Sequence, residues 1–205
     1  SNRTRLTHTG AMNNTPHTNC LTLRLLHAAK GYKAVAFDIF DTLLKRDCAH
    51  PADLFALMEV THQAALGFAE ARVAAEAETR QTLGREVTLA EIYAHPALQG
   101  TDPAAECAAE LAMIAPNRPV AQAAAACHAR GQKVYAVSDM YLPKEQIEAM
   151  LQKCGLDFLD GVFVSCEYGV QKRSGKLFKL FLQQTALRPA EVLFVGDSPR
   201  ADFAG

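Results

Sequence analysis

Short apolar runs alternate with amphipathic stretches at both ends of the chain. The run Lys33–Asp38, of sequence KAVAFD, has the length and the Val and Phe content of a buried strand, and it ends on a carboxylate. Three later runs have the same character: Lys133–Val137, Gly161–Val164 and Glu191–Val195. Stretches with helical spacing lie around and between them: Leu21–Lys30, Lys144–Cys154 and Lys176–Leu187. This alternation predicts an α/β fold with a parallel sheet covered on both faces.

The segment between the first and second predicted strands has a different pattern. Ala52–Gly131 contains 24 alanines in 80 residues, and apolar residues recur at spacings of three and four from Leu54 onward. Alanine favours helix, and Pro51, Pro103, Pro116 and Pro119 fit helix starts and boundaries. We therefore expect helices and no strands in this segment.

These patterns predict three parts of the chain. Residues 1–20 are polar and are predicted to be a disordered arm. Residues 21–46 and 119–205 are predicted to build the sheet, and residues 47–118 a helical insertion after the first strand. Because the chain stops ten residues after the last predicted strand, we expect the core to be truncated, as in a fragment of a longer protein.

Composition excludes several classes of function. The 21 Lys and Arg residues nearly balance the 22 Asp and Glu residues, for a net charge of −1, so nucleic acid and anionic membranes are not the expected partners. We find neither an apolar window of membrane-spanning length nor the apolar core of a signal peptide, which predicts a soluble, cytoplasmic protein. The six cysteines are scattered without a C-x-x-C pair, so we expect reduced, mostly buried thiols.

Chemically useful side chains follow the predicted strands. Asp38 follows the first, Ser138 the second, Lys172 or Lys176 the third, and Asp197 with Asp202 the fourth. In open parallel sheets, ligands bind beyond the carboxyl ends of the strands, so these groups are expected to converge. Carboxylates can hold Mg²⁺, a lysine and a hydroxyl can hold phosphate oxygens, and one carboxylate can attack phosphorus. The set is typical of magnesium-assisted phosphoryl transfer.

Four segments, in order along the chain, resemble the motifs of the haloacid dehalogenase (HAD) superfamily. They are AFDIFDTLL (Ala36–Leu44), VYAVSDMY (Val134–Tyr141), KRSGKLF (Lys172–Phe178) and FVGDSPRAD (Phe194–Asp202). The resemblance covers the chain from about Lys33 to its end. It implies a Rossmann-like parallel sheet, and it makes the helical insertion similar to the C1-type cap that closes over the site in this superfamily.

The resemblance also implies a magnesium site. Asp38 would be both the nucleophile and a ligand of Mg²⁺, with the backbone carbonyl of Phe40 and the carboxylate of Asp197 as further ligands. Asp202 would bind the metal directly or through water, or would hold Lys172.

A phosphate-binding set is implied as well. Ser138 would hydrogen-bond the phosphate, and Lys172 would offset the negative charge on the phosphate and on Asp38. Lys176 is the alternative to Lys172, and Thr42 would support the loop that positions Asp38.

The sequence departs from the phosphatases of this superfamily at one position. Where they have a second aspartate, two residues after the nucleophile, as general acid and base, this chain has Phe40, and the usual following glycine is Asp41. Asp41 is interpreted first as a capping residue and otherwise as a substitute for proton transfer. A dehalogenase-type hydrolase, or a weakly active phosphate-binding domain, would also tolerate Phe40.

The expected function is hydrolysis of a small phosphorylated metabolite. Displacement of a halide needs no cation, so the carboxylates of Asp197 and Asp202 favour phosphoryl chemistry over dehalogenation. FDIFDTLL and SDMYLP further resemble a HAD subgroup of bacterial surface-polysaccharide proteins that are often fused to glycosyltransferases. This implies a sugar phosphate as the substrate and a glycosyltransferase as a neighbour in a longer chain.

Overall fold

The computed structural model describes residues 19–170 and 174–196. The strands in these ranges are β1 (Ala34–Phe37), β2 (Leu44–Arg46), β3 (Ile114–Pro116), β4 (Lys133–Ser138), β5 (Gly161–Val164) and β6 (Val192–Val195). The α-helices are α1 (Cys20–Ala28), α2 (Asp53–Val60), α3 (Phe68–Leu83), α4 (Leu89–Tyr93), α5 (Pro103–Met113), α6 (Arg118–Ala129), α7 (Lys144–Lys153), α8 (Ser165–Tyr168) and α9 (Lys176–Thr185).

The predicted α/β fold is confirmed, because four strands form a parallel sheet in the order β5-β4-β1-β6. β1 lies between β4 and β6, with Phe37 opposite Ala136 on one side and Val195 on the other. From β1 the chain proceeds through β4 to β5 and then returns to the far side of β1 for β6. The strand order therefore reverses at the β1–β6 junction, which is where open α/β sheets bind ligands.

Both faces of the sheet are covered by helices. Val35 and Phe37 of β1 pack into a large cluster together with apolar residues of α6 and α7. The alternate residues Ala34 and Ala36 pack into a second cluster with Leu177 and Phe181 of α9. Burial of β1 on both faces explains why its sequence is a continuous apolar run instead of an alternating one.

We expected no strand between Ala52 and Gly131, and this prediction is wrong in one place. β3 lies in this segment and pairs antiparallel with β2, with Leu44 opposite Pro116 and Arg46 opposite Ile114. A ribbon of three residues is too short for a periodic pattern, and its partner lies almost 70 positions earlier in the sequence. The helices α2 to α5 lie along the chain between these two strands.

A buried ionic cluster lies among the helices α2 to α5, which we call the helical segment. The Arg72 side chain is fully buried, and its Nε and Nη2 atoms donate to the two carboxylate oxygens of Glu106 at 2.7 and 2.8 Å. Nη1 donates to Glu76 at 3.0 Å, and the Tyr93 hydroxyl donates to Glu106 at 2.8 Å. Every oxygen of this carboxylate therefore has a partner, which offsets the cost of removing the ions from water.

The ionic cluster also contacts the sheet-forming part of the chain. The ring of Tyr141, in the loop after β4, lies 4.8 Å from the Arg72 guanidinium. The backbone carbonyl of Tyr141 accepts a hydrogen bond from the Leu89 N–H at the start of α4. A third link is the Gln146 side chain of α7, which donates to the carbonyl of Cys107 in α5. The helical segment is thus joined to the loop that follows Ser138.

Two further sequence-level expectations concern the thiols and the membrane. All six cysteines are free, with Cys127 and Cys166 buried and Cys20 exposed. Burial raises the pKa of the Cys166 thiol to about 11, so it is a poor nucleophile at neutral pH. Of the helices in the described ranges, none combines the length and apolar character needed to cross a bilayer.

We expect the Arg72–Glu106 pair to dominate the stability of the helical segment. Glu106→Gln removes the fully buried, bidentate carboxylate and leaves the buried guanidinium with only the partly exposed Glu76 as its ion-pair partner, which should lower the free energy of unfolding by about 3 kcal/mol or more. Glu148→Gln is the matched control, because its 3.9 Å pair with Lys144 is exposed and should change stability by about 0.5 kcal/mol or less. Urea denaturation measures both, and similar losses in the two variants would contradict the assignment.

Candidate active site

Asp38 is the first residue beyond β1, at the point where the strand order reverses. Its N–H donates to the carbonyl of Val195 at 2.8 Å, which continues the pairing with β6 by one residue. Its own Oδ1 accepts a hydrogen bond from the Ile39 N–H at 2.9 Å. The side chain is half-buried. The carboxylate is therefore held in a defined orientation at the carboxyl edge of the sheet.

The loop after Asp38 folds back on itself and returns to β2. The N–H groups of Leu43 and Leu44 donate to the carbonyls of Asp38 and Ile39 at 3.3 and 2.9 Å. The side chains of Ile39, Leu43 and Leu44 are fully buried, so the loop is anchored by apolar packing as well.

Asp41 lies at the tip of this loop with an exposed side chain and a φ of +61°. This left-handed conformation is readily adopted by glycine and is tolerated by aspartate and asparagine better than by most residues. The geometry explains the glycine that the superfamily usually has here. It favours the conformational interpretation of Asp41 over the catalytic one.

Ser138 ends β4 beside the loop of Asp38 and is 2% exposed. The residue two positions earlier, Ala136, lies opposite Phe37, so Ser138 and Asp38 come to the same edge of the sheet. The chain after Ser138 is held by a hydrogen bond of 2.9 Å, which the Met140 N–H donates to the hydroxyl oxygen of the fully buried Ser165. Two of the predicted catalytic residues are therefore neighbours in the fold.

The Phe40 side chain is covered by a cation. The guanidinium carbon of Arg46 lies 4.1 Å from the centre of the Phe40 ring. Arg46 donates through Nε and Nη2 to the two carboxylate oxygens of Glu110 in α5, at 2.9 and 3.3 Å. Burial raises the pKa of the Glu110 carboxyl group, and Arg46 acts in the opposite direction. Sequence analysis did not pair these residues, because Glu110 lies 64 positions after Arg46.

The sequence model of the haloacid dehalogenase-like hydrolases matches residues 32–205. The chain belongs to this family. The search of curated proteins gives no match to this HAD-like hydrolase.

Solved structures share the fold at low sequence identity. L-2-haloacid dehalogenase from Xanthobacter autotrophicus, with chloropropionic acid covalently bound, is 20% identical with a TM-score of 0.55 over 80% of this chain and 69% of that one. A HAD family enzyme of Bacteroides thetaiotaomicron, in complex with magnesium and inorganic phosphate, is 14% identical with a TM-score of 0.57 over 83% and 87%. Dehalogenases and a phosphate-binding relative therefore share this architecture, so fold alone does not select the reaction.

Several predicted site residues of the HAD-like hydrolase lie outside the described residues, namely Lys172, Asp197 and Asp202. Lys176, the alternative lysine, is the exposed first residue of α9.

The described part of the site includes two of the predicted metal donors. Within residues 19–170 and 174–196, three or more His, Cys, Asp or Glu side chains do not gather into a metal-binding cluster. This part does offer the Asp38 carboxylate and the Phe40 carbonyl, both hard oxygen donors that fit Mg²⁺.

Asn117 is a supporting residue that sequence analysis missed. Its side-chain Nδ2 donates to the carbonyl of Thr42 at 2.7 Å, and its backbone N–H donates to the carbonyl of Leu43 at 2.8 Å. Asn117 directly follows β3, where the chain leaves the helical segment. Through these two bonds it stabilises the loop of Asp38. The buried Thr42 lies in the same loop, where its N–H donates to the carbonyl of Ile39 at 3.4 Å. An asparagine before Arg-Pro gives no sequence signal for this role.

We expect Asp41 to act through its backbone conformation. Asp41→Gly and Asp41→Ala both remove the carboxylate, but only glycine adopts a φ of +61° without strain, so the glycine variant should be more stable by about 1 kcal/mol. Thermal and urea unfolding measure this difference. If the alanine variant equals the glycine variant in stability, the conformational role is wrong. Loss of hydrolytic activity in both variants, with folding intact, would instead assign the carboxylate to catalysis.

Proposed function

We propose that this HAD-like hydrolase is a cytoplasmic, Mg²⁺-dependent phosphatase that forms an aspartyl-phosphate on Asp38. The observation that carries the proposal is the position of the Asp38 carboxylate, fixed by the Ile39 N–H at the β1–β6 junction with Ser138 on the same edge. The proposed substrate is a small phosphorylated metabolite. The resemblance to polysaccharide-associated proteins favours a sugar phosphate and a glycosyltransferase as a neighbour in a longer chain.

The proposed reaction proceeds in two displacements at phosphorus. An Asp38 carboxylate oxygen attacks the phosphorus atom, a bond forms between them, and the bond to the leaving oxygen breaks with its electron pair on that oxygen, which takes up a proton from water. The Ser138 hydroxyl donates to a phosphoryl oxygen while negative charge spreads over these oxygens. Water then attacks the phosphorus of the aspartyl-phosphate, the carboxylate of Asp38 is restored, and phosphate leaves.

A bound Mg²⁺ would neutralise charge on the transferring phosphoryl group. Among the described residues, the Asp38 carboxylate and the Phe40 carbonyl would hold it, and Asp197 and Asp202 are proposed to complete the metal site. Lys172 is proposed to offset the negative charge on the phosphate and on Asp38. Hydrogen bonds from the N–H groups of Leu43 and Leu44 to the carbonyls of Asp38 and Ile39 close the loop that carries Phe40, which supports this assignment.

Phe40 is also compatible with a second function, hydrolysis of a carbon–halogen bond. A carbon–halogen bond breaks without proton transfer to the halide, so a dehalogenase would not need a carboxylate at this position. Chloride release from 2-chloropropionate tests this alternative directly. A non-catalytic domain of a polysaccharide-biosynthesis protein would bind phosphate without releasing it from any ester.

The Asp38→Asn variant tests the proposal. We expect Mg²⁺-dependent phosphate release from aryl and sugar phosphates by the unaltered protein and a loss of roughly 10³-fold or more in the variant, because the amide is a poor nucleophile. Asp157→Asn is the matched control, since Asp157 is exposed and precedes β5 at the opposite edge of the sheet. It should retain full activity.

Three outcomes would contradict the phosphatase. Release that persists in Asp38→Asn would move the chemistry elsewhere. Chloride release without phosphate release would assign a dehalogenase. Binding of inorganic phosphate with no release from any substrate would assign a binding domain.

A further inference from the structure

We propose that Arg46 is a specificity-determining residue that selects phosphorylated substrates whose leaving group departs as a carboxylate, that is, acyl phosphates. The inference rests on the proposed phosphatase function and names its substrate class. It favours an anhydride over the sugar phosphate ester that the resemblance alone implies. The observation behind it is the stack of Phe40, Arg46 and Glu110 beside the loop of Asp38.

The Phe40 ring limits the leaving group. Phe40 follows Asp38 by two residues, so their Cα atoms lie within about 7 Å, and it occupies the position at which the phosphatases that this chain resembles have their general acid. A phenyl ring cannot donate a proton, and general acid catalysis is typically worth about 10²- to 10⁴-fold in rate. An alkoxide leaving group would lose this factor. A carboxylate leaving group needs no proton.

Arg46 supplies a cation at the same place. Its side chain is only 9% exposed, and its guanidinium lies against the Phe40 ring at 4.1 Å. The bonds to Glu110 use Nε and Nη2, which leaves the Nη1 edge on the other side of the guanidinium. This edge can donate to a carboxylate of a ligand.

Glu110 fixes the direction of that edge. Its side chain is 1% exposed, and both of its oxygens hold Arg46, so the guanidinium cannot turn without leaving a buried carboxylate unpaired. Arg46 is also held by its backbone, because β2 pairs with β3 at Arg46 and Ile114. A guanidinium that is fixed in advance binds a planar carboxylate with little loss of side-chain freedom.

The reaction balances without a proton donor. Asp38 attacks the phosphorus of the acyl phosphate, the P–O bond to the acyl group breaks, and its electron pair remains on the departing carboxylate beside Arg46. Water then attacks the aspartyl-phosphate, both of its protons stay with the phosphate that is released, and Asp38 is again a carboxylate. No oxidant or further reactant is needed.

The test compares acetyl phosphate with a hexose 6-phosphate, using Asp38→Asn to subtract spontaneous hydrolysis. We expect kcat/KM for acetyl phosphate to exceed that for the hexose phosphate by about 100-fold or more. The double variant Arg46→Gln with Glu110→Gln removes both charges of the pair together. It should lower kcat/KM for acetyl phosphate by roughly 10- to 100-fold and that for the hexose phosphate by less than about 3-fold.

Two further variants keep the test decisive. Arg46→Lys retains the charge and should fold even if the double variant does not, with a smaller loss on acetyl phosphate because the planar fork is absent. Lys45→Gln removes a positive charge from the adjacent exposed position and should change neither rate. Circular dichroism establishes folding of each variant.

Each outcome decides between the proposals. A wild-type preference for the hexose phosphate, or equal losses on both substrates in the Arg46 variants, overturns the role of Arg46 and leaves the phosphatase standing. Absence of Mg²⁺-dependent release from every phosphate overturns the proposed function, and the inference falls with it. Selective loss on acetyl phosphate, with Lys45→Gln unchanged, supports the assignment.

Discussion

The hydrogen bonding of β1 on both of its edges is the constraint on which the rest of this structure depends. Four residues, Ala34–Phe37, pair in parallel with β4 on one side and β6 on the other. Parallel pairing brings the carboxyl ends of all three strands to one edge of the sheet, so the residue that follows β1 must lie beside those that follow β4 and β6. Asp38 and Ser138 are neighbours for this reason, although 100 positions separate them in the chain.

The helical segment is organised around ions as well as apolar contacts. Arg72 is buried against three aromatic rings and bonded to two carboxylates, and one of those rings, Tyr141, belongs to the loop after Ser138. A second buried pair, Arg46 with Glu110, joins β2, the strand that follows the loop of Asp38, to α5. Because a buried ion without its partner is costly, each pair ties the helical segment to one side of the sheet edge that carries Asp38 and Ser138.

Particular residues show where sequence reasoning works and where it stops. The position of Asp38 and Ser138 at the carboxyl edge of the sheet was predictable, because each directly follows a short apolar run that is typical of a buried strand. The left-handed conformation of Asp41 was not, since aspartate is common in turns of many kinds. β3 and the supporting role of Asn117 were also missed. Both depend on hydrogen bonds to residues more than 60 positions away, for which no local pattern exists.

The sequence by itself determined the α/β class, the four sheet strands and the order of the candidate catalytic residues, because strand burial and helix periodicity are local properties of the chain. Only the tertiary structure decided what surrounds them. The cation over Phe40, the carboxylate that holds it and the asparagine that holds the loop come from three separate elements. Their contacts arise from packing between distant segments, which no local pattern predicts. In the sequence, Phe40 is notable only because an aspartate is expected at its position, whereas in the fold its ring packs against the guanidinium of Arg46.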